Sequence, residues 1–255
     1  MEVYKNLLLL GDCLEELNKV KDASVDLILV DLPYGTSACT WDVVIPLDAL
    51  WEQYKRVLKT NGTVVLFGSE PFSSLVRISN LEMYKYDWKW VKPRGANFLN
   101  ANYQPMKNYE DIMVFGRGAS SYTKDGVNMV YNPQMGVGKP YKQLSGKQKS
   151  TKNNATVRAE IKSVVTDNEG TRYPKSTLEF GFDKEKYHPT QKPVALLKYL
   201  IETYTEKGAL VLDSCMGSGS TGVACKEVGR EFIGIEKNED YYNIAKQRLD
   251  ELWYF

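Results

Sequence analysis

The sequence predicts an α/β protein built on a doubly wound, mostly parallel sheet. Three observations carry that expectation. Short apolar runs end at acidic residues, with 25–30 before Asp31, 209–212 before Asp213 and 232–235 before Glu236. Segments of helical periodicity separate the runs, and the alternation occurs at both ends of the chain, so one sheet is assembled from both termini.

Residues 25–30 form a short apolar, β-branched-rich run, the pattern of a buried parallel-type strand, with Asp31 at its carboxyl end. Apolar positions over 47–58 recur at helical spacing. Asn61-Gly62 then supplies a stop and a turn, and 63–67 is the next buried strand, closing a β-α-β unit. Residues 70–78 are expected to be helical, 84–91 alternates aromatic and polar side chains like a half-exposed strand, and 111–115 is a further strand. From about 116 to 187 the periodicity weakens while Gly, Ser, Asn, Lys and Thr accumulate, above all over 144–156, which predicts an insertion with partial disorder. Pro193 starts a helix running through Tyr204, Lys207-Gly208 stops it, and 209–212 is a strand. A glycine-rich loop, a helix over 221–228, a strand over 232–235 and a last helix from Glu239 to about Leu252 complete the pattern. No internal repeat is apparent.

Composition narrows the function classes. At 255 residues, 43% hydrophobic and 25% charged, the chain suits one α/β domain with an insertion and excludes a fibrous or wholly disordered protein. Cys13, Cys39, Cys215 and Cys225 form no C-x-x-C pair and His188 is the single histidine, so a zinc site of the usual kind lacks ligands and no metal is expected. The apolar run 7–10 is too short for export or for spanning a membrane, which points to a cytoplasmic protein without membrane contact. The net charge of +1 hides one local patch: Lys139, Lys142, Lys147, Lys149, Lys152, Arg158 and Lys162 are opposed in that stretch only by Glu160. Such a patch suits phosphate contacts or, more blandly, a solvated loop.

Gly217, Gly219 and Gly222 satisfy G-x-G-x-x-G between a strand and a helix. Positions without side chains let the backbone approach a ligand while helix N–H groups face it, so a nucleotide-like cofactor is favoured over a purely structural turn. Glu236, at the end of the next strand, suits a carboxylate accepting from both ribose hydroxyls. Only one strand and two helices follow the loop, an arrangement that a standard dehydrogenase does not use. S-adenosyl-L-methionine carries an ammonium rather than a pyrophosphate, so Asp213 could meet that ammonium and Asp12, in Gly11-Asp12-Cys13, the adenine amino group. Asp12 is equally suited to capping a helix.

Asp31-Leu32-Pro33-Tyr34 joins an acceptor, a stiffened backbone and an aromatic face. An exocyclic amine is a poor nucleophile because its lone pair is delocalised. Hydrogen bonds from its N–H groups to Asp31 and to the Leu32 carbonyl would favour pyramidal nitrogen, and Tyr34 would stack on the flipped base. On its own, a D-x-P-Y segment is also compatible with a turn whose tyrosine packs in the core.

Together with the glycine loop, Glu236 and His188-Pro-Thr-Gln-Lys192-Pro193, this tetrapeptide resembles the amino-methyltransferases of DNA in their β-type order, most closely phage and prophage adenine N6-methylases with Asp-Leu-Pro-Tyr-Gly-Thr. The resemblance implies a Rossmann-like methyltransferase fold in which 1–117 is the catalytic half, 118–187 an inserted, partly flexible target-recognition region and 188–255 the cofactor-binding half. It makes Asp31, Leu32, Pro33 and Tyr34 the catalytic motif. Cofactor contacts fall to Asp12, Cys13, Asp31, Thr190, Gln191, Lys192, Asp213, Ser214, Cys215, Gly217, Ser218, Gly219 and Glu236, with 190–192 lining the methionine end. Asn102, Pro105, Asn108 and Glu110 resemble the block that builds the target-base pocket, and Lys139, Lys142, Lys147, Lys149 and Lys152 become DNA contacts. Implied partners are double-stranded DNA, a second copy of the chain in a homodimer, and a cognate restriction endonuclease. Two positions depart from the family pattern: Leu32 where proline is commonest, and Ser214-Cys215 in place of Pro-Phe. The leading Asp of the tetrapeptide points to adenine; cytosine N4 methylation, a catalytically silent DNA-binding regulator and a nicotinamide-dependent oxidoreductase are the alternatives.

Overall fold

Uniformly apolar runs fold as the interior of a sheet covered on both sides. The computed structural model describes residues 6–35, 42–124, 126–145 and 164–251. In chain order its elements are β1 (Leu7–Leu10), α1 (Cys13–Glu16), β2 (Val25–Asp31), α2 (Leu47–Val57), β3 (Leu58–Gly68), α3 (Phe72–Ser79), β4 (Tyr84–Ala96) and β5 (Lys107–Gly116). There follow β6 (Gly136–Val137), β7 (Tyr141–Ser145), β8 (Val164–Asn168), β9 (Thr171–Arg172) and β10 (Thr177–Glu179), then α4 (Val194–Tyr204), β11 (Leu210–Asp213), α5 (Ser220–Glu227), β12 (Glu231–Glu236) and α6 (Glu239–Glu251).

Eight strands form the main sheet in the order β1-β12-β11-β2-β3-β5-β4-β10, and only β5 runs against its neighbours. Alternate side chains of the central strands serve opposite faces. Leu27, Leu29, Val65 and Phe67 pack with Leu196 and Leu200 of α4 and Ala224 of α5, whereas Ile28, Val30, Val64 and Leu66 pack with Leu50 and Tyr54 of α2 and Val76 of α3. Burial on both faces is why β2 reads as a continuous apolar run rather than an alternating one. Because β1 pairs with β12 and β2 with β11, the two halves of the chain interleave and their strand ends open on one edge, as the doubly wound expectation requires.

Several elements differ from the sequence expectation. Residues 7–10, noted for shortness, form the edge strand β1 beside β12. Asn61-Gly62 does not stop the chain: α2 passes directly into β3, and the register jumps from Val25 opposite Leu58 to Leu27 opposite Thr63. The dipeptide lies in this irregular stretch, where a Cβ on Gly62 would stand 3.0 Å from the Asp26 carbonyl and 2.9 Å from Leu58 Cγ. The strands expected at 84–91 and 111–115 are longer than their patterns, reaching Ala96 and starting at Lys107.

The chain divides into two compact units, Met1–Asn132 with Ser176–Phe255, and Pro133–Lys175. The first holds the main sheet, including β10, which pairs in parallel with β4. The second consists of the antiparallel pairs β6 with β9 and β7 with β8, where the Arg172 guanidinium lies 4.8 Å from the Tyr141 ring centroid. The expected partial disorder centres on 144–156, most of which lies outside the described residues. Among those described, no helix is long and apolar enough to cross a membrane.

Candidate functional site

A cavity of about 600 Å³ opens at the carboxyl ends of β1, β2, β11 and β12. Its wall includes Asp12 and Cys13, the whole of Asp31-Leu32-Pro33-Tyr34, Thr190 to Lys192, Asp213 to Ser218, and Glu236. All the catalytic and cofactor candidates except Gly219 are thus brought together. Of the base-pocket block, Glu110 reaches the cavity while Asn102, Pro105 and Asn108 are exposed. Lys139 and Lys142 belong to the second unit, and Lys147, Lys149 and Lys152 lie outside the described residues.

The glycine turn is shaped by backbone conformations that disfavour side chains. Gly217 has φ 51° and Gly219 φ 78°. Gly219 caps α5 from behind the cavity wall, where a Cβ would stand 2.9 Å from Ala245 Cβ. Asp213 at the start of the turn is 4% exposed. It accepts from the Cys215 N–H at 3.1 Å and from the Thr221 hydroxyl at 2.6 Å. Burial pushes its carboxyl up to about 7; those two hydrogen bonds oppose the rise, and the charges of Asp31 and Glu236 add to it.

Glu236 is oriented by two backbone donors, Gly217 N–H to Oε2 and Asn238 N–H to Oε1, each at 2.8 Å. A carboxylate offers about four acceptor positions, so roughly two remain for a ligand. Asp12 caps α1, its Oδ1 accepting from Leu14 N–H at 3.0 Å, and it also lines the cavity. The hydrogen bond from Lys237, at 3.0 Å, holds its carboxyl below the usual range.

The departure at Ser214-Cys215 is accommodated by polar partners. The Ser214 and Tyr54 hydroxyls are hydrogen-bonded at 2.6 Å in the interior. Cys215 hydrogen-bonds Cys13, which pushes the Cys13 thiol down and the Cys215 thiol well up. Leu32 keeps its side chain buried at 3% exposure.

Asp31 is engaged on both oxygens. Tyr34 donates to Oδ1 at 2.7 Å, and the buried Lys192 ammonium donates to Oδ2. That ammonium also lies 3.4 Å from Glu110 Oε2. The Tyr34 ring stacks on Phe72 of α3, with centroids 4.9 Å apart. The adjacent Gln191 organises its own loop by donating to Asp183 at 2.9 Å and accepting from Tyr187 N–H at 3.0 Å. Thr190 hydrogen-bonds His188 Nδ1, and His188 meets the Tyr241 ring edge-on. Phe67 of β3, Met216 of the glycine turn and Tyr241 of α6 also line the site; sequence reasoning passed over them because an apolar or aromatic side chain carries no mark distinguishing cavity wall from core.

The arrangement suits a cationic, nucleoside-containing ligand. Three carboxylates lie at strand or loop ends, open turn backbone lies between them, and a separate acceptor at Asp31 shares the same space. A model of the DNA methylase family matches residues 25–247. The chain is 28% identical over 249 residues to DNA adenine methyltransferase YhdJ of Escherichia coli (strain K12), covering 94% of this chain and 81% of that protein. It is also 28% identical over 256 residues to the type II methyltransferase M.HpaI of Haemophilus parainfluenzae, covering 95% and 74%. Among solved structures, the M1.HpyAVI complex with SAM matches with a TM-score of 0.60 at 25% identity, over 95% of this chain and 99% of that one.

Proposed function

The chain belongs to the DNA methylase family, and on that premise we propose that it is an S-adenosylmethionine-dependent methyltransferase placing a methyl group on the N6 amino group of adenine in double-stranded DNA. One observation carries this: Asp31 and the glycine turn open on a single cavity because β2 and β11 are neighbours. When bound, S-adenosylmethionine supplies an electrophilic methyl group. Asp213 takes its ammonium, Glu236 its ribose hydroxyls and Asp12 its adenine amino group, while Gly217 and Ser218 admit it closely. Cys13, Ser214, Cys215, Thr190 and Gln191 complete the wall.

On the substrate side, Asp31 and the Leu32 carbonyl accept the two N–H groups of the exocyclic amine and so favour a pyramidal nitrogen with an available lone pair. Pro33 stiffens the segment. Tyr34 offers its ring to the flipped base, offsetting part of the unstacking cost of a few kcal/mol. Residues 118–187 are the target-recognition region of this proposal, with Lys139, Lys142, Lys147, Lys149 and Lys152 on phosphates. A homodimer, a cognate restriction endonuclease and a cytoplasmic location extend it; sedimentation of the purified protein tests the first.

The deciding experiment is nucleoside analysis of duplex DNA after incubation with the protein and labelled S-adenosylmethionine. N6-methyladenine is expected. N4-methylcytosine in its place overturns the choice of base, and no labelled nucleoside overturns the activity.

A further inference from the structure

More charge gathers around Asp31 than the proposed chemistry needs. Lys192 is 8% exposed, and lysine is almost never buried unless it is paired. Its ammonium is shared between Asp31 and Glu110 and sits 5.2 Å from the Phe67 ring centroid. Behind Glu110 stands a second cation, Lys92 of β4, paired with its carboxylate and 5.1 Å from the Trp90 ring. The result is an alternating row, Asp31, Lys192, Glu110, Lys92, drawn from β2, the segment before α4, β5 and β4. Burial disfavours charge on both inner members. Even so, the neighbouring carboxylates raise the Lys192 ammonium above its usual value, and Lys192 and Lys92 hold Glu110 below its own.

We propose that Lys192 is a positioning residue for methyl transfer: anchored by Glu110 and Lys92, it holds the Asp31 carboxylate by Oδ2 and leaves Oδ1 to the exocyclic amine, rather than contacting the methionine end of the cofactor. The inference rests on the methyltransferase function proposed above. A carboxylate tethered at one oxygen has a fixed plane, and the other oxygen is then aimed. The charge argument runs in the same direction. With Lys192 removed, Asp31 and Glu110 would share one pocket in which the remaining cation of the row, Lys92, pairs with Glu110, and two like charges in one site disfavour double ionisation. A protonated Asp31 carries a donor where the amine needs an acceptor. Other groups facing Asp31 are Tyr34 from its own loop, Asp213 from β11 and His188 from the segment before α4. Asp213 adds to the negative field, and none of the three replaces the cation.

The test compares the parent chain with Lys192→Met, Lys192→Arg and the double variant Lys192→Met/Glu110→Gln. Readouts are the single-turnover rate of DNA methylation across pH, the affinity for S-adenosylhomocysteine, and urea unfolding at pH 7. On the acidic limb of the profile Lys192→Met should lose about tenfold in rate, a loss that shrinks as pH rises because that limb has moved up by about one unit. Its S-adenosylhomocysteine affinity should stay within about twofold of the parent's, a shift of under about 0.5 kcal/mol. Lys192→Arg should keep the parent profile, and the double variant should return the acidic limb to the parent's position together with the stability lost in Lys192→Met, while its rate above that limb stays below the parent's because the tether on Asp31 Oδ2 is gone. Weakened S-adenosylhomocysteine binding with an unmoved pH profile would overturn the proposal in favour of a cofactor contact. A double variant whose acidic limb stays displaced about one unit above the parent's would overturn it too, and because the parent is the reference this variant settles the matter even where Lys192→Met fails to fold. A parent chain that makes no methylated base removes the underlying function, an outcome separate from either.

Discussion

Tyr34 donates its phenolic hydrogen to Asp31 Oδ1 at 2.7 Å, so the aromatic side chain proposed to stack on the base holds the acceptor proposed for the amine. Burial and the charge of Asp31 push the phenol well above its usual value of 10, which keeps it a donor. Base entry therefore exchanges one donor for another at the same oxygen. Tyr34→Phe keeps the ring and frees the oxygen, and should strengthen capture of the target base by roughly 1 kcal/mol. Tyr34→Ala should weaken it by roughly 1–3 kcal/mol. Fluorescence of 2-aminopurine at the target position measures both, and equal losses in the two variants would assign the role to the hydroxyl rather than the ring.

If Asp213 takes the cofactor ammonium as proposed, cofactor binding should depend on pH in a definite direction. Burial pushes the Asp213 carboxyl from the ordinary value of 3.8 up to about 7 in the folded chain. Between those values the native state holds a proton that the unfolded chain has released. Stability contributed at this position accordingly falls as pH rises through that window, with the penalty complete above 7. A ligand ammonium favours the ionised form, so S-adenosylhomocysteine affinity should rise by up to about tenfold per pH unit below 7 and level off above it. Asp213→Asn should remove that slope. Calorimetric titrations of parent and variant over roughly 1.5 pH units either side of the expected midpoint would show a slope in neither if Asp213 does not meet the ammonium.

How far these features were legible in sequence depends on whether their cause is local. Asp31, Asp213 and Glu236 stood out because a strand buried on both faces is uniformly apolar, and a carboxylate at its end breaks the pattern abruptly. The glycine turn was legible for a similar reason, since Gly217 and Gly219 occupy conformations that other residues avoid. The edge strand β1 was not, because four leucines acquire their meaning only beside β12. Asn61-Gly62 misled because the dipeptide that turns a hairpin also suits a bulge, and only the partner strand distinguishes them. Lys192 was visible as part of a motif, but its partner Asp31 lies 161 residues away; no local pattern could connect the cation with that acceptor. The pairing of Ser214 with Tyr54 is likewise long-range, which is why a departure in the cofactor loop carried no visible compensation.

The two turn glycines should fail differently. Alanine at Gly219 would combine φ 78° with a Cβ 2.9 Å from Ala245 Cβ and 3.2 Å from Ala245 Cα, so α6 must move to admit it. A loss of about 2–3 kcal/mol in folding stability is expected. Alanine at Gly217 has φ 51° but meets nothing nearer than the His188 ring at 3.8 Å, and should lose only about 1 kcal/mol. Its larger effect should be on S-adenosylhomocysteine affinity, since it faces the cavity. Urea unfolding and ligand titration of both variants check the ranking, and a reversed order of stability would show that backbone conformation outweighs the contact with α6.

The basic stretch gives the last test, one that concerns DNA rather than cofactor. Lys142 is paired with Asp167 at 2.8 Å, but the two side chains are 70% and 68% exposed, and an ion pair that open to water contributes at most about 1 kcal/mol. A phosphate can therefore compete for the cation. Each lysine that contacts a phosphate releases condensed counterions, adding about 0.9 to the slope of log affinity against log salt. Reversing the charges of Lys139, Lys142, Lys147, Lys149 and Lys152 together should flatten that slope by up to about 4 units while leaving S-adenosylhomocysteine affinity intact, because cofactor contacts are proposed only in the other unit. Fluorescence anisotropy with a duplex over a range of salt concentrations measures the slope. Weaker binding at every salt concentration with an unchanged slope would mean that the substitutions act through folding of Pro133–Lys175 rather than through phosphate, and the DNA-contact assignment of these lysines would fall.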